Sequence, residues 1–302
     1  MRWKIGTHLT LQGHIDPYSL TMAIAKGARQ RGARMEQNCA VTGLHPRSDG
    51  GWDVLTEKVR IKNVNMFTIW LQGTVRANRV INCCGFHGRE VGLLAGLDLP
   101  LVPVQHQYLV TKSVPEVQAL EREIPVLRHL EGSFYLRQER DGLLIGPYES
   151  QGAMVQMETW ARQGVPPAFG KELYPGDLER LGPHLEAAME AFPCFSRAEI
   201  QSVVNGPITY TPDILPMVGP SLLHNMWLAV GFGYGVVHGG GVGLFLADWI
   251  CEVSSVNFYG SDQVSGESQI DSSQISLDQL LSAIISSGIR TDPKISDQLN
   301  SA

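Results

Sequence analysis

Apolar and polar positions change their period several times along the chain, and the changes mark its elements. Leu20, Ile24 and Ala28 lie along one helical face, with Ala23 and Gly27 as small neighbours. Asp16 can cap that helix, Pro17 can take its first position and Gly32 can stop it, so the spacing predicts a helix over 17–31. Val41 to Leu44 and Trp52 to Thr56 have short β character around the turn residues Ser48-Asp49-Gly50-Gly51, a hairpin pattern. Residues 58–70 interrupt its return into Gly73 to Val80 as an insertion. The run Arg79-Val-Ile-Asn-Cys-Cys-Gly85 has the form of a buried parallel strand ending in glycine, and a helix over Arg89 to Ala95 follows it.

From Pro100 the texture becomes that of strands broken by polar turns. Leu101 to Thr111, Ser133 to Gln138 and Leu143 to Gly146 have β character, with a hairpin turn between the last two. Asp177 to Phe192 reads as an amphipathic helix, Ile200 to Asn205 as a strand and Pro207 to Pro216 as a proline-punctuated extended loop. Trp227 to Val230 then leads into a stretch with glycine at 231, 233, 235, 239, 240, 241 and 243. Beyond it Val242, Leu244, Phe245, Leu246 and Trp249 return to helical spacing. Strand, Gly-rich turn and helix in that order can present backbone N–H groups to a flat or anionic group. A flexible glycine loop fits the same residues, because the spacing is not a strict G-x-G-x-x-G.

This order predicts an α/β (α+β) fold, a partial Rossmann-like nucleotide-binding layer interrupted by an antiparallel-sheet substrate domain. The expected segments are 1–99, 100–205 for the antiparallel block, 206–250 for the return to the first layer, and a divergent, disordered tail over 251–302 rich in Ser, Asp and Gln.

A 302-residue chain that is 43% hydrophobic can bury a real core. Its net charge of −6 and the lack of a dense Lys/Arg block argue against a nucleic-acid partner and leave a small-molecule site. No apolar run is long enough to span a bilayer, so membrane insertion is not expected, and the start carries no transit-peptide pattern. Five cysteines without a C-x-x-C pair fit a reduced compartment, with Cys83 and Cys84 expected as small buried residues.

His106 alternates with apolar positions in Val102 to Val110, and Tyr135 sits in Ser133 to Arg140. Each alone is more often a half-buried, hydrogen-bonded residue than a catalyst. Two neighbouring antiparallel strands could instead bring imidazole and phenol onto one face, where they would hold a small amine or assist its deprotonation. The histidines show no metal-ligand spacing, and there is no G-x-S-x-G or Walker loop.

Gly13-His-Ile-Asp-Pro-Tyr-Ser-Leu20, Pro103-Val-Gln-His-Gln-Tyr108, Tyr135-Leu-Arg-Gln-Glu-Arg-Asp-Gly-Leu-Leu144 with Gly146-Pro-Tyr-Glu149, Asn205 to Gly219, and Gly231-Phe-Gly-Tyr-Gly235 follow one another in order. From Gly13 to Ile250 the chain resembles the dimethylglycine dehydrogenase family of FAD-dependent amine oxidoreductases. Sarcosine dehydrogenase and the regulatory subunit of pyruvate dehydrogenase phosphatase share the fold and match these words less well. The resemblance implies FAD as cofactor, an N-methylated glycine as substrate, oxidation of its N-methyl group, tetrahydrofolate as acceptor of the methyl carbon, an electron-transfer flavoprotein as partner, and the mitochondrial matrix. It places Val41 at the adenosine half of FAD, His87 at a flavin contact, and Phe232, Gly233, Tyr234, Gly235, Val236 and Val237 along the isoalloxazine ring. His106 and Tyr135 match the family's substrate-side histidine and tyrosine.

The chain also departs from that pattern. The family's glycine fingerprint and its flavin-linked histidine would precede Gly13, an aromatic residue usually stands where His87 is, and the folate-binding region would follow Ile250. The expectation is therefore a flavin site with an incomplete grip and impaired activity. A non-catalytic regulatory module of the same fold is the alternative.

Overall fold

A computed structural model describes residues 13–61, 69–150, 153–166, 169–170 and 172–258. The first helix, α1 (Pro17–Gln30), starts where the Asp16 carboxylate accepts the Ser19 N–H at 2.7 Å and stops at Gly32, whose φ of +95° few other residues adopt. The chain divides into two compact units: one holds Pro103–Ile208 with Thr56–Gly73 and the chain up to Val41, the other Thr42–Leu55, Thr74–Val102 and the chain from Thr209.

The first unit is built on an antiparallel sheet. Its strands are β5 (Val102–Thr111), β6 (Leu127–His129), β7 (Phe134–Glu139), β8 (Gly142–Pro147), β9 (Val155–Gln156) and β10 (Ile200–Tyr210). They lie in the order β10-β5-β8-β7-β6, with β9 also pairing to β5. β7 and β8 form a hairpin from Glu139↔Gly142 to Phe134↔Pro147, turned by Arg140 at φ +54°. One face of this sheet is apolar: Leu109, Phe134, Leu136, Leu143 and Ile145 pack with Leu181 and Ala188 of α5 (Leu178–Ala191) and with Val117 of the short α3 (Pro115–Gln118). Asp177 caps α5 by accepting the Arg180 N–H. A further short helix, α4 (Glu158–Gln163), buries Trp160. The sequence placed a loop from Pro207, but β10 continues through it to Tyr210. β10 is an edge strand, where a missing proline N–H leaves no ladder bond unmade.

In the second unit β4 (Val80–Asn82) runs parallel to β12 (Met226–Val230), and β11 (Met217–Pro220) pairs antiparallel on the other side of β12. Ile81 of β4 is 42% exposed, so this strand is buried on one face only and not throughout. The hairpin strands β1 (Val41–Pro46) and β2 (Trp52–Ile61) with β3 (Ile69–Ala77) form a separate three-stranded sheet. Its Leu44 and Trp52 pack with Met226, and Trp52 Nε1 donates to the His224 carbonyl at 3.0 Å. Of the insertion, 58–61 extend β2 and 69–70 open β3, while 62–68 lie outside the described residues.

After α2 (Gly88–Leu93), the last element of this unit is α6 (Gly235–Phe258), and here two expectations are corrected. The helix begins at Gly235, so Gly239, Gly240, Gly241 and Gly243 are helical and not part of a turn. It also continues past Ile250 to Phe258 where a disordered tail was expected, and residues from 259 lie outside the described residues. Each of these glycines costs the helix roughly 1 kcal/mol relative to alanine.

Candidate functional site

In the first unit, the face of the sheet opposite α5 bounds a cavity of about 680 Å³, lined by Tyr108, Tyr135, Arg137, Glu139, Gln201 and Ser202 among others, with Ile15–Pro17 at its rim. Tyr135 crosses the sheet over its partner Gly146, because a Cβ there would overlap the tyrosine ring and hydroxyl. Burial, with smaller contributions from Tyr148 and Tyr108, pushes the Tyr135 phenol up to about 12. At neutral pH it is therefore a hydrogen-bond donor and not a base. Arg137 is engaged with Glu139 at 2.6 Å.

His106 is placed otherwise than the sequence suggested. β8 lies between β5 and β7, so His106 and Tyr135 are not on neighbouring strands, and His106 is outside the residues that line the cavity. The pairing pattern could not be read because nothing local in β5 specifies which of several similar strands binds it. His106 Nδ1 lies instead 3.4 Å from Glu149 Oε2, and the other oxygen of that carboxylate meets Arg180 Nε at 2.7 Å. The side chains of Glu149 and Arg180 are only 2% and 9% exposed, whereas His106 is 27% exposed. On either side of His106, Gln107 exchanges two hydrogen bonds with the Asp177 backbone, at 2.8 and 3.0 Å, and Gln105 accepts from buried Asn205 at 3.1 Å. In the sequence Glu149 stands out only as part of the motif Gly146-Pro-Tyr-Glu149. Gln107 and Asn205 likewise stand in motifs without a role of their own, and Arg180, on an amphipathic helix, carries no local signal.

In the second unit, Gly231 has φ +81° and ends β12, and a Cβ there would lie 2.8 Å from the Thr211 methyl. Gly233 carries the Tyr210 ring, which leaves no room for a side chain. Phe232 and Tyr234 flank His238, with ring centroids 6.2 and 6.1 Å away, and His238 Nδ1 is buried with no hydrogen-bond partner among the described residues. Gly235, Gly239, Gly240, Gly241 and Gly243 have open space where a Cβ would stand, and Val236 and Val237 are 45% and 77% exposed. The opening of α6 is thus an uncovered, side-chain-poor surface at the positive end of a long helix, which suits a flat group that gains negative charge on reduction.

His87 ends a 3-10 turn over Gly85–His87, with its ring 4.7 Å from that of Phe86. Asn82, 1% exposed, closes this turn by accepting the Cys84 N–H and donating to the Gly88 carbonyl. Cys83 and Cys84 are exposed and not buried as expected, since β4 ends before them. Both thiols are still pushed up, chiefly by loss of solvation, which disfavours the nucleophilic thiolate. Val41 opens β1 and is 38% exposed.

A glycine-opened helix beside a mixed sheet, and an antiparallel layer with a cavity, describe a nucleotide-cofactor oxidoreductase architecture. The FAD dependent oxidoreductase family (DAO) matches residues 2–249, and the chain belongs to that family. It is similar to mouse mitochondrial dimethylglycine dehydrogenase, 61% identical over 239 residues that make up 79% of this chain and 26% of that one. Mouse mitochondrial sarcosine dehydrogenase is 32% identical over 79% of this chain and 24% of its own length. Among solved structures, L-proline dehydrogenase from P. horikoshii superposes with a TM-score of 0.61 at 21% identity, over 78% of this chain and 56% of that one, a likeness of fold. The chain spans about a quarter of the length of the curated relatives it matches.

Proposed function

We propose that the chain is part of an FAD-dependent dehydrogenase of N-methylated glycines that oxidises an N-methyl group of dimethylglycine. The observation that carries this reading is the 61% identity to a dimethylglycine dehydrogenase across 239 residues. The half-buried, protonated Tyr135 at a cavity of about 680 Å³ agrees with it, since the volume is ample for a small amino acid.

In this reading the Tyr135 hydroxyl donates a hydrogen bond that orients the substrate. The role of His106, which stands outside the lining of that cavity, rests on the resemblance: its imidazole takes the proton that the substrate ammonium must lose before its N-methyl carbon can be oxidised. FAD, when bound, supplies the two-electron oxidising power. Backbone N–H groups across Phe232, Gly233, Tyr234, Gly235, Val236 and Val237 are its ring-side partners, stabilising negative charge with the α6 dipole, while His87 and Val41 are further contacts. Transfer of the methyl carbon to tetrahydrofolate, delivery of electrons to an electron-transfer flavoprotein and a mitochondrial location complete the proposal. For the isolated chain the proposal is weak retention of FAD and slow turnover.

The test is dimethylglycine-dependent dye reduction by the chain supplied with FAD. Replacing His106 by Ala lowers the rate roughly 10²- to 10⁴-fold, the usual loss for a missing general base. A flavin that binds but is not reduced by dimethylglycine would refute the substrate, and stoichiometric flavin in the purified chain would refute the weak grip.

A further inference from the structure

We infer that Glu149 and Arg180 are positioning residues for His106: the guanidinium fixes the carboxylate, and the carboxylate fixes the imidazole with its proton on Nδ1 and its Nε2 lone pair free. The inference rests on the reading of His106 as the proton acceptor.

Arg180 stands in the first turn of α5, where the helix dipole disfavours a cation. Its guanidinium is also nearly buried, and Nη1 and Nη2 have no hydrogen-bond partner among the described residues. A buried pair of this kind is weak as a stabilising device, because desolvation offsets most of the attraction. The 2.7 Å contact between Arg180 Nε and Glu149 Oε1 lies outside hydrogen-bond angles and rests on charge attraction. What the pair does achieve is orientation. With Oε1 held by Arg180, Oε2 faces His106 Nδ1 at 3.4 Å, and a carboxylate in that place can only accept, so the ring proton belongs on Nδ1. Nε2 is then the basic atom. The two bonds between Gln107 and Asp177 tie the start of α5 to the residue beside His106, which sets the register that lets Arg180 reach Glu149.

Nitrogen-15 NMR of the 302-residue chain, at a pH where the ring is neutral, reads the tautomer directly, with His106→Gln identifying the signal. The Nδ1–H form is expected to dominate. In Glu149→Gln the guanidinium claims the amide oxygen, the amide N–H₂ turns to the ring, and the tautomer inverts to Nε2–H. In the double variant Glu149→Gln/Arg180→Met the amide is free to rotate and Nδ1–H returns as the larger population. A dominant Nε2–H form in the parent chain, or a tautomer indifferent to Glu149→Gln in a protein of unchanged circular dichroism, would overturn the inference. If the single variant does not fold, the double variant against the parent decides: an Nε2–H majority in both refutes it. The measurement needs neither FAD nor amine, so failure of dye reduction and failure of this orientation are separate results.

Discussion

The two units treat their apolar surface differently. In the first, Phe134, Leu109, Ile145 and Leu181 are at most 1% exposed, and α5 closes one face of the sheet. In the second, α6 leaves Val237, Leu244 and Phe245 at 77%, 67% and 59% exposure, although its neighbours Val230 and Met226 are fully buried. An antiparallel sheet with a covering helix completes its own core, while a short mixed sheet beside a helix with exposed apolar side chains presents surface to another group. The first unit spends its interior on polar orientation around His106, and the second spends its glycines on keeping backbone accessible.

The largest expected effect attacks the interior of the first unit. Arg180→Met leaves the buried Glu149 carboxylate without its cation, facing only the His106 ring, and should cost about 3–5 kcal/mol in urea unfolding. A loss near zero would make that pair no more than a surface bridge. Next comes Tyr135. Its folded pKa lies above the ordinary phenol value, so the protonated phenol is favoured in the native state, and the unfolded chain ionises first as pH rises. Stability is therefore flat below the ordinary phenol range and falls from about pH 10 to about 12, a dependence that Tyr135→Phe removes. Ultraviolet titration should show a late-ionising tyrosine that Tyr135→Phe removes, and its absence would place Tyr135 in water.

Glycine substitutions test both units at once. Gly146→Ala and Gly233→Ala each drive a Cβ into a tyrosine ring and should cost about 1–3 kcal/mol, with a coupling to Tyr135 and to Tyr210 in double-mutant cycles. Gly239→Ala, which meets open space in α6, should instead stabilise the chain by about 0.5–1 kcal/mol and weaken FAD retention. Equal signs at all three positions would erase the distinction between a glycine under a ring and a glycine under a cofactor surface. The smallest effect belongs to the exposed Lys112–Glu199 pair, where Lys112→Ala should cost less than about 1 kcal/mol.

Local chemistry made several elements legible. The Asp16-Pro17 start and Gly32 stop of α1, the Asp177 cap of α5, and the β7–β8 turn depend on residues within a few positions of one another. The place of the glycine stretch is legible and its extent as a turn is not, because a glycine is compatible both with a turn and with the interior of a helix. Cys83 and Cys84 were misread because their exposure depends on where β4 stops pairing with β12, and that is a property of the partner strand.

The amino-acid sequence by itself determined the family, the α/β class and the two side chains, His106 and Tyr135, on which the chemistry is proposed to rest, since motif words and local periods survive without coordinates. Only the tertiary structure decided that β8 separates those two residues, that Gly146 makes room for Tyr135, and that Glu149 and Arg180 stand behind His106. Strand order and buried charge contacts join positions tens of residues apart, and no local pattern of hydrophobicity encodes which distant partner is chosen.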